Sequence, residues 1–87
     1  MAYFAQIDDA NRVLRVVAIA DSDCNGGVFP LSEPTGIAFC QQLFGQETRW
    51  LQTSYNNQFR GQYAGVGYSY DTFSDVFIAP PNDEEMS

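Results

Sequence analysis

Residues 3–19 read YFAQIDDANRVLRVVAI. Tyr3, Ala5 and Ile7 alternate with Phe4, Gln6 and Asp8, and Val13, Arg15, Val17 and Ile19 alternate with Leu14, Val16 and Ala18; Asp8-Asp9-Ala10-Asn11 joins the two runs. Successive side chains of a strand point to opposite faces, so period-two patterning on both sides of a short Asp/Asn turn predicts a β-hairpin. The second run carries Leu14, Val16, Val17, Ala18 and Ile19 with little polar relief, which predicts a strand near the middle of its sheet.

The pattern stops at Asp21. Residues 21–31 are rich in Asp, Ser, Asn, Gly and Pro and read as a loop. A helix over about residues 33–44 follows: Ser32 or Glu33 can cap it, Pro34 fits a first turn where its missing N–H costs nothing, and Gly45 stands where a C-terminal glycine belongs. Ile37, Cys40, Leu43 and Phe44 fall at helical spacing, and this apolar stripe is expected to face the sheet. After Gly45 the composition returns to strand chemistry. Trp50 to Tyr55 and Phe59 to Tyr63, separated by Asn56-Asn57, predict a second hairpin; Tyr68-Ser69-Tyr70 and Val76-Phe77-Ile78, closed by Pro80-Pro81, predict a third, or the arms of a meander. The order ββ-α-ββ-ββ gives an α+β domain, a mainly antiparallel sheet built from hairpins with one covering helix.

Eighty-seven residues make one domain, here 1–81, with 82–87 read as an acidic flexible tail. Eleven Asp and Glu against four Arg give a net charge of −7, which repels phosphate backbones and anionic membranes and argues against direct nucleic-acid or membrane partners. No run reaches the roughly 20 apolar residues of a membrane span and no basic, then apolar, leader is evident, so synthesis in the cytosol is expected. Cys24 and Cys40 lack metal-site spacing and are expected to be reduced.

Catalytic chemistry finds little support. The sequence has no histidine and no lysine, so the common nucleophile–base pairs cannot be assembled, and no enzyme activity or cofactor is expected. Asp71 and Asp75 are two carboxylates of an acidic turn. Gly65 and Gly67 start like a dinucleotide-binding loop, but Tyr70 takes the third glycine position and strand residues follow where a helix is needed. Asp21-Ser22-Asp23-Cys24-Asn25-Gly26 opens like a calcium loop, with oxygens at alternate positions. It then fails: Ser32 stands where the bidentate glutamate belongs and Pro30 interrupts it. Asp21, Asp23 and Asn25 are thus the only metal candidates, and turn formation is the expected role.

Thirteen aromatic residues exceed what one thin core hides, since each buries on the order of 150–250 Å². Tyr, Trp and Arg are enriched where proteins bind proteins, and Arg49, Trp50, Tyr55 and Arg60, with Tyr68 and Tyr70, are the expected partner-binding residues.

The segments MAYFAQIDDANRVLRVV, GIAFCQQLFG, WLQTSYN, FRGQYAGVGYSYD and DVFIAPP span most of the chain. In these segments the sequence resembles small virion structural proteins of tailed bacteriophages, particularly those of cyanobacteria. The resemblance implies a non-enzymatic virion component, with other virion proteins (major capsid or tail subunits) as partners and multiple copies or a homo-oligomer in the particle; it carries over no catalytic residue. A capsid decoration or cement protein is the leading expectation, a tail or baseplate accessory the next. An acidic phosphate-mimicking inhibitor of a host nucleic-acid enzyme is the alternative from another class, resting on Asp8, Asp9, Asp21, Asp23 and the acidic cluster at 83–85.

Overall fold

The first hairpin forms as the alternation predicts. In a computed structural model that describes residues 1–81, β1 (Ala2–Ile7) and β2 (Val13–Ile19) pair antiparallel from Ala2↔Ile19 to Ile7↔Val13, with a bulge beside Ile7. The expected tail, 82–87, lies outside the described residues. Asp8 builds the turn: its carboxylate accepts the amides of Ala10 (2.8 Å) and Arg12 (2.9 Å), and Asn11 adopts φ 62°, a left-handed conformation that asparagine tolerates. The hydrogen bond from the Arg12 amide leads the interactions that hold the Asp8 carboxyl below its usual range.

The central strand, however, is β1. The sheet order is β2-β1-β3, with β3 (Arg49–Thr53) antiparallel to β1, so β2 lies at an edge. Its apolar density marks two partly covered faces rather than a central position; Leu14 is exposed and Val16 and Val17 are half-buried. β1 is the strand sealed on both sides: Ala2 and Phe4 face one core, Ala5 and Ile7 the other.

The helix α1 (Ser32–Phe44) covers the first of these faces. Pro34 occupies its first turn, and the Gly45 amide closes its end on the Gln41 carbonyl (2.8 Å). Neither Ser32 nor Glu33 caps it. The Ser32 hydroxyl donates instead to Gln52 Oε1 (2.6 Å) and the Glu33 carboxylate accepts the Gln52 amide (2.9 Å), so both side chains tie the helix to β3. The buried stripe also differs from expectation. It is Ser32, Gly36 and Cys40, whereas Leu43 is 59% exposed and Phe44 lies at the rim against Trp50. Small side chains face the sheet because Phe4 fills the space: a β-carbon at Gly36 would collide with the Phe4 ring. Ile37 and Phe39 pack at the flanks of this core.

The expected hairpin of Trp50 to Tyr55 with Phe59 to Tyr63 does not form. β3 pairs with β1, and residues 54–68 run as turns and bends across the opposite face of the sheet. Positive φ at Asn57, Arg60 and Gly61 breaks any extended run there. The third expected hairpin is present as β4 (Ser69–Asp71) and β5 (Val76–Ile78), a separate two-stranded sheet. It joins the rest through the Arg12–Ser69 bridge and the hydrogen bonds of Val13 with Tyr68 and Gly67. Ala64 and Phe77, both buried, complete the second core against Ala5, Ile7 and Val13. The result is an α+β fold of antiparallel sheets with one covering helix.

Candidate functional site

The six residues expected to bind a partner do not share one surface. Trp50 is 3% exposed; its indole donates to Thr48 Oγ1 (2.7 Å) and its ring belongs to the helix-side core. Arg49, next to Trp50 at the start of β3, is exposed and donates to the Asp8 carbonyl (2.9 Å) and to Asn11 Oδ1 (3.1 Å), and so braces the first turn. Tyr68 and Tyr70 pack against the second core. Tyr55 alone of the six is both aromatic and largely exposed, at 64%.

Arg60 organises the interior of the irregular segment. Its side chain is 10% exposed and forms ion pairs with Glu33 and with Asp75 (2.8 Å), while Nη1 donates to the Gln52 carbonyl (3.0 Å). The guanidinium also lies over the rings of Phe29 (5.2 Å) and Tyr70 (5.8 Å). Burial works to lower its pKa, but the hydrogen bonds and charges of Glu33 and Asp75 outweigh it and raise the value, keeping the charge. Asp75 accepts the Tyr70 hydroxyl (2.5 Å), and this bond followed by that of Arg60 holds its carboxyl below the usual range. Burial, followed by that same Asp75 bond, pushes the Tyr70 phenol up. Helix, β3, residues 54–68 and the β4–β5 turn thus meet at one guanidinium, a structural arrangement with every charge paired.

Beside it lies a groove of about 640 Å³, lined among others by Tyr3, Phe29, Gln52, Tyr55, Asn56 and Phe59. Phe29 and Phe59 stack face to face with centroids 3.8 Å apart. Tyr55 stacks on Tyr3 at 5.4 Å, and Tyr63 meets both rings edge-on at 5.2 and 5.7 Å. Burial, then the neighbouring phenols, raises the Tyr63 pKa, so this phenol stays neutral at physiological pH. Gln52, 2% exposed, accepts the Ser32 hydroxyl at Oε1, and Asn57 Oδ1 accepts the Tyr63 amide (2.7 Å), fixing the chain that carries the ring. Val28, 68% exposed, adds an aliphatic side chain to the lining. Among the described residues no Asp, Glu, Lys or Arg side chain lines the groove, and the charge at its wall is the Met1 amino terminus, paired with Asp21 (2.8 Å). Rigid aromatic faces beside neutral amides and hydroxyls suit a neutral, partly apolar segment of another protein.

Tyr3, Phe29, Phe59 and Tyr63 had no sequence signal of their own as surface residues. The alternation of β1 gives only a partial one: it places Tyr3 on the face of Ala5, across from Thr53, where residues 54–68 pass.

The remaining candidates hold ordinary structural roles. Asp21 Oδ1 lies 2.8 Å from the amino terminus, the backbone carbonyl of Asp21 accepts the Cys24 and Gly26 amides, and Asn25 takes φ 55°, which makes the calcium-like stretch a tight turn. Asp71 accepts the Ser74 hydroxyl (2.6 Å) and the Phe73 amide (3.1 Å), and these bonds, in that order, lower its pKa; it does not pair with Asp75. Gly67, at φ 89°, makes the turn whose amide bonds the Val13 carbonyl. Cys24 and Cys40 are free, fully buried thiols in the helix-side core; burial, then the neighbouring Cys24, pushes the Cys40 thiol up to about 11. Among the described residues no helix is long and apolar enough to cross a membrane, and no three acidic, Cys or His side chains gather as a metal site.

Comparison with family models, with curated proteins and with solved structures gives no match.

Proposed function

We propose that this chain is a non-enzymatic structural subunit of a tailed-phage particle, a capsid decoration protein that docks on the shell through the groove of Tyr3, Phe29, Tyr55 and Phe59. The observation that carries the binding role is Tyr55: a large aromatic ring 64% exposed yet held in place by Tyr3 and Tyr63. A ring already ordered before contact loses little entropy on binding, which is the property of an anchor residue. The assignment to a virion rests on the sequence resemblance.

Among the described residues the lining carries no carboxylate despite a net charge of −7, so an acidic or neutral shell surface meets no like charge there. Phosphate mimicry is less well supported. Of the acids on which it rests, Asp8 is engaged in its own turn and Asp21 pairs with the amino terminus, while the cluster at 83–85 lies outside the described residues.

Mass spectrometry of purified particles tests the reading. A copy number matching that of the major shell protein supports decoration, a low copy number moves the subunit to the tail or baseplate, and absence from particles overturns a virion role. Recovery of a nuclease or polymerase in a pull-down from host lysate would support the inhibitor instead.

A further inference from the structure

The edge of β2 offers a second contact, independent of the groove and of the virion reading. In an antiparallel ladder successive residues bond alternately to the strand on either side. Gln52 of β3 points away from β1, since its amide donates to Glu33 (2.9 Å) and its carbonyl accepts from Arg60 (3.0 Å). Its partner Phe4 therefore bonds to β2, at Val17, and the flanking residues Val16 and Ala18 turn their amides and carbonyls outward.

Among the described residues nothing receives those four groups. The start of the same edge is closed, because Val13 bonds the Tyr68 carbonyl (2.8 Å) and the Gly67 amide (3.0 Å), but the chain then turns away. The other edge of the sheet is closed at Gln52. β2 has no proline or lysine, its charge (Arg15) and its bulge lie towards its start, and Ala18 at the open end is exposed.

We propose that a second copy of this chain fills this edge, pairing β2 with β2 antiparallel across a two-fold axis at Val17. The register is self-complementary. Val16 meets Ala18 of the second copy and Ala18 meets its Val16, so all four outward groups of each strand are satisfied, while the two Val17 side chains sit opposite each other. The same register sets Arg15 across from Ile19 of the other copy and keeps the two Arg15 charges apart. It also brings the basic start of one strand, Arg12 and Arg15, towards the acidic end of the other, where Asp23 adjoins the Asp21 already paired with the amino terminus. The length fits as well: the open edge ends at Val13, and β2 itself ends at Ile19, before the turn at residues 21–23.

Sedimentation equilibrium of the full chain reads the assembly. Dimers are expected for the wild type, and Ala18→Pro should weaken them on the order of tenfold or more, since it removes an outward donor on an edge strand where proline is tolerated. Its far-UV circular dichroism should match the wild type. Val17→Cys should give a disulfide-linked dimer with oxidised glutathione under native conditions, while the buried Cys24 and Cys40 of the wild type should not. A wild type monomeric up to millimolar concentration overturns the proposal, as does a dimer unaffected by Ala18→Pro. Should Ala18→Pro fail to fold, Val17→Cys decides: absence of the linked dimer overturns the pairing.

Discussion

On one face of β1 a regular helix covers Phe4, and on the other residues 54–68, with neither helix nor regular strand, join Phe77 of β5 in covering Ala5 and Ile7. The two layers meet the same requirement by different means. A helix satisfies its own backbone, so α1 needs only small residues where it meets Phe4. An irregular layer cannot, and its buried amides must find side chains. Thr53 Oγ1 takes the Ala64 amide (3.0 Å), Ser54 Oγ that of Gln58 (2.9 Å) and Asn57 Oδ1 that of Tyr63 (2.7 Å), while Arg60 ties the segment to Glu33 and Asp75. Packing holds the helix side, and directed polar bonds hold the other. The exposed Tyr55 and its neighbour Tyr63 belong to the second layer, where side-chain bonds rather than a helix repeat set their positions.

The largest expected effect is on the packed side. Phe4→Ala removes the ring that Gly36 accommodates and should cost about 3–5 kcal/mol in urea unfolding. Gly36→Ala should destabilise by about 1–3 kcal/mol through overpacking, and Phe4→Leu should recover part of that loss in a double-mutant cycle. On the polar side, Thr53→Val keeps the shape but orphans the buried Ala64 amide, at about 1–3 kcal/mol. Hydrogen exchange at Ala64 should accelerate more than at α1 amides. Equal acceleration in both layers would erase the distinction between them.

A smaller effect separates the layers by pH. The folded-state pKa of Asp75 is lowered, first by Tyr70 and then by Arg60, so its contribution to stability is present above the unfolded value of about 3.9 and is lost as pH falls through the folded value. Cys40 on the helix side is raised to about 11, and its contribution is present below its unfolded value near 9 and lost as pH rises towards 11. Melting temperature should therefore fall at both extremes. Asp75→Asn should flatten only the acid limb, and Cys40→Ala only the alkaline one. The least effect is expected at Leu43→Ala, within about 0.5 kcal/mol if its 59% exposure leaves little packing to lose.

These differences also explain what the sequence made legible. The β1–β2 alternation, the Asp8 turn and the extent of α1 follow local rules and can be read from neighbours along the chain. The facing stripe of α1 could not, because Phe4, distant in sequence, decides that small residues pack there, and apolar spacing pointed to Leu43. Trp50 and Arg60 looked like surface anchors by residue type. Trp50 is core, because the register against Gln6 turns it beneath the helix, and Arg60 is bound by Glu33, twenty-seven positions away. The groove unites Tyr3, Phe29 and Tyr55 from three separate segments, and no spacing rule links them.

The most direct test of docking through that groove is the number of copies retained per purified particle when Tyr55→Ala replaces the wild-type chain, measured by quantitative mass spectrometry beside Arg49→Ala. Docking through the groove predicts that Tyr55→Ala, with its fold confirmed by circular dichroism, falls at least tenfold in copy number while Arg49→Ala stays at the wild-type level. A Tyr55→Ala subunit present at the normal copy number would contradict it.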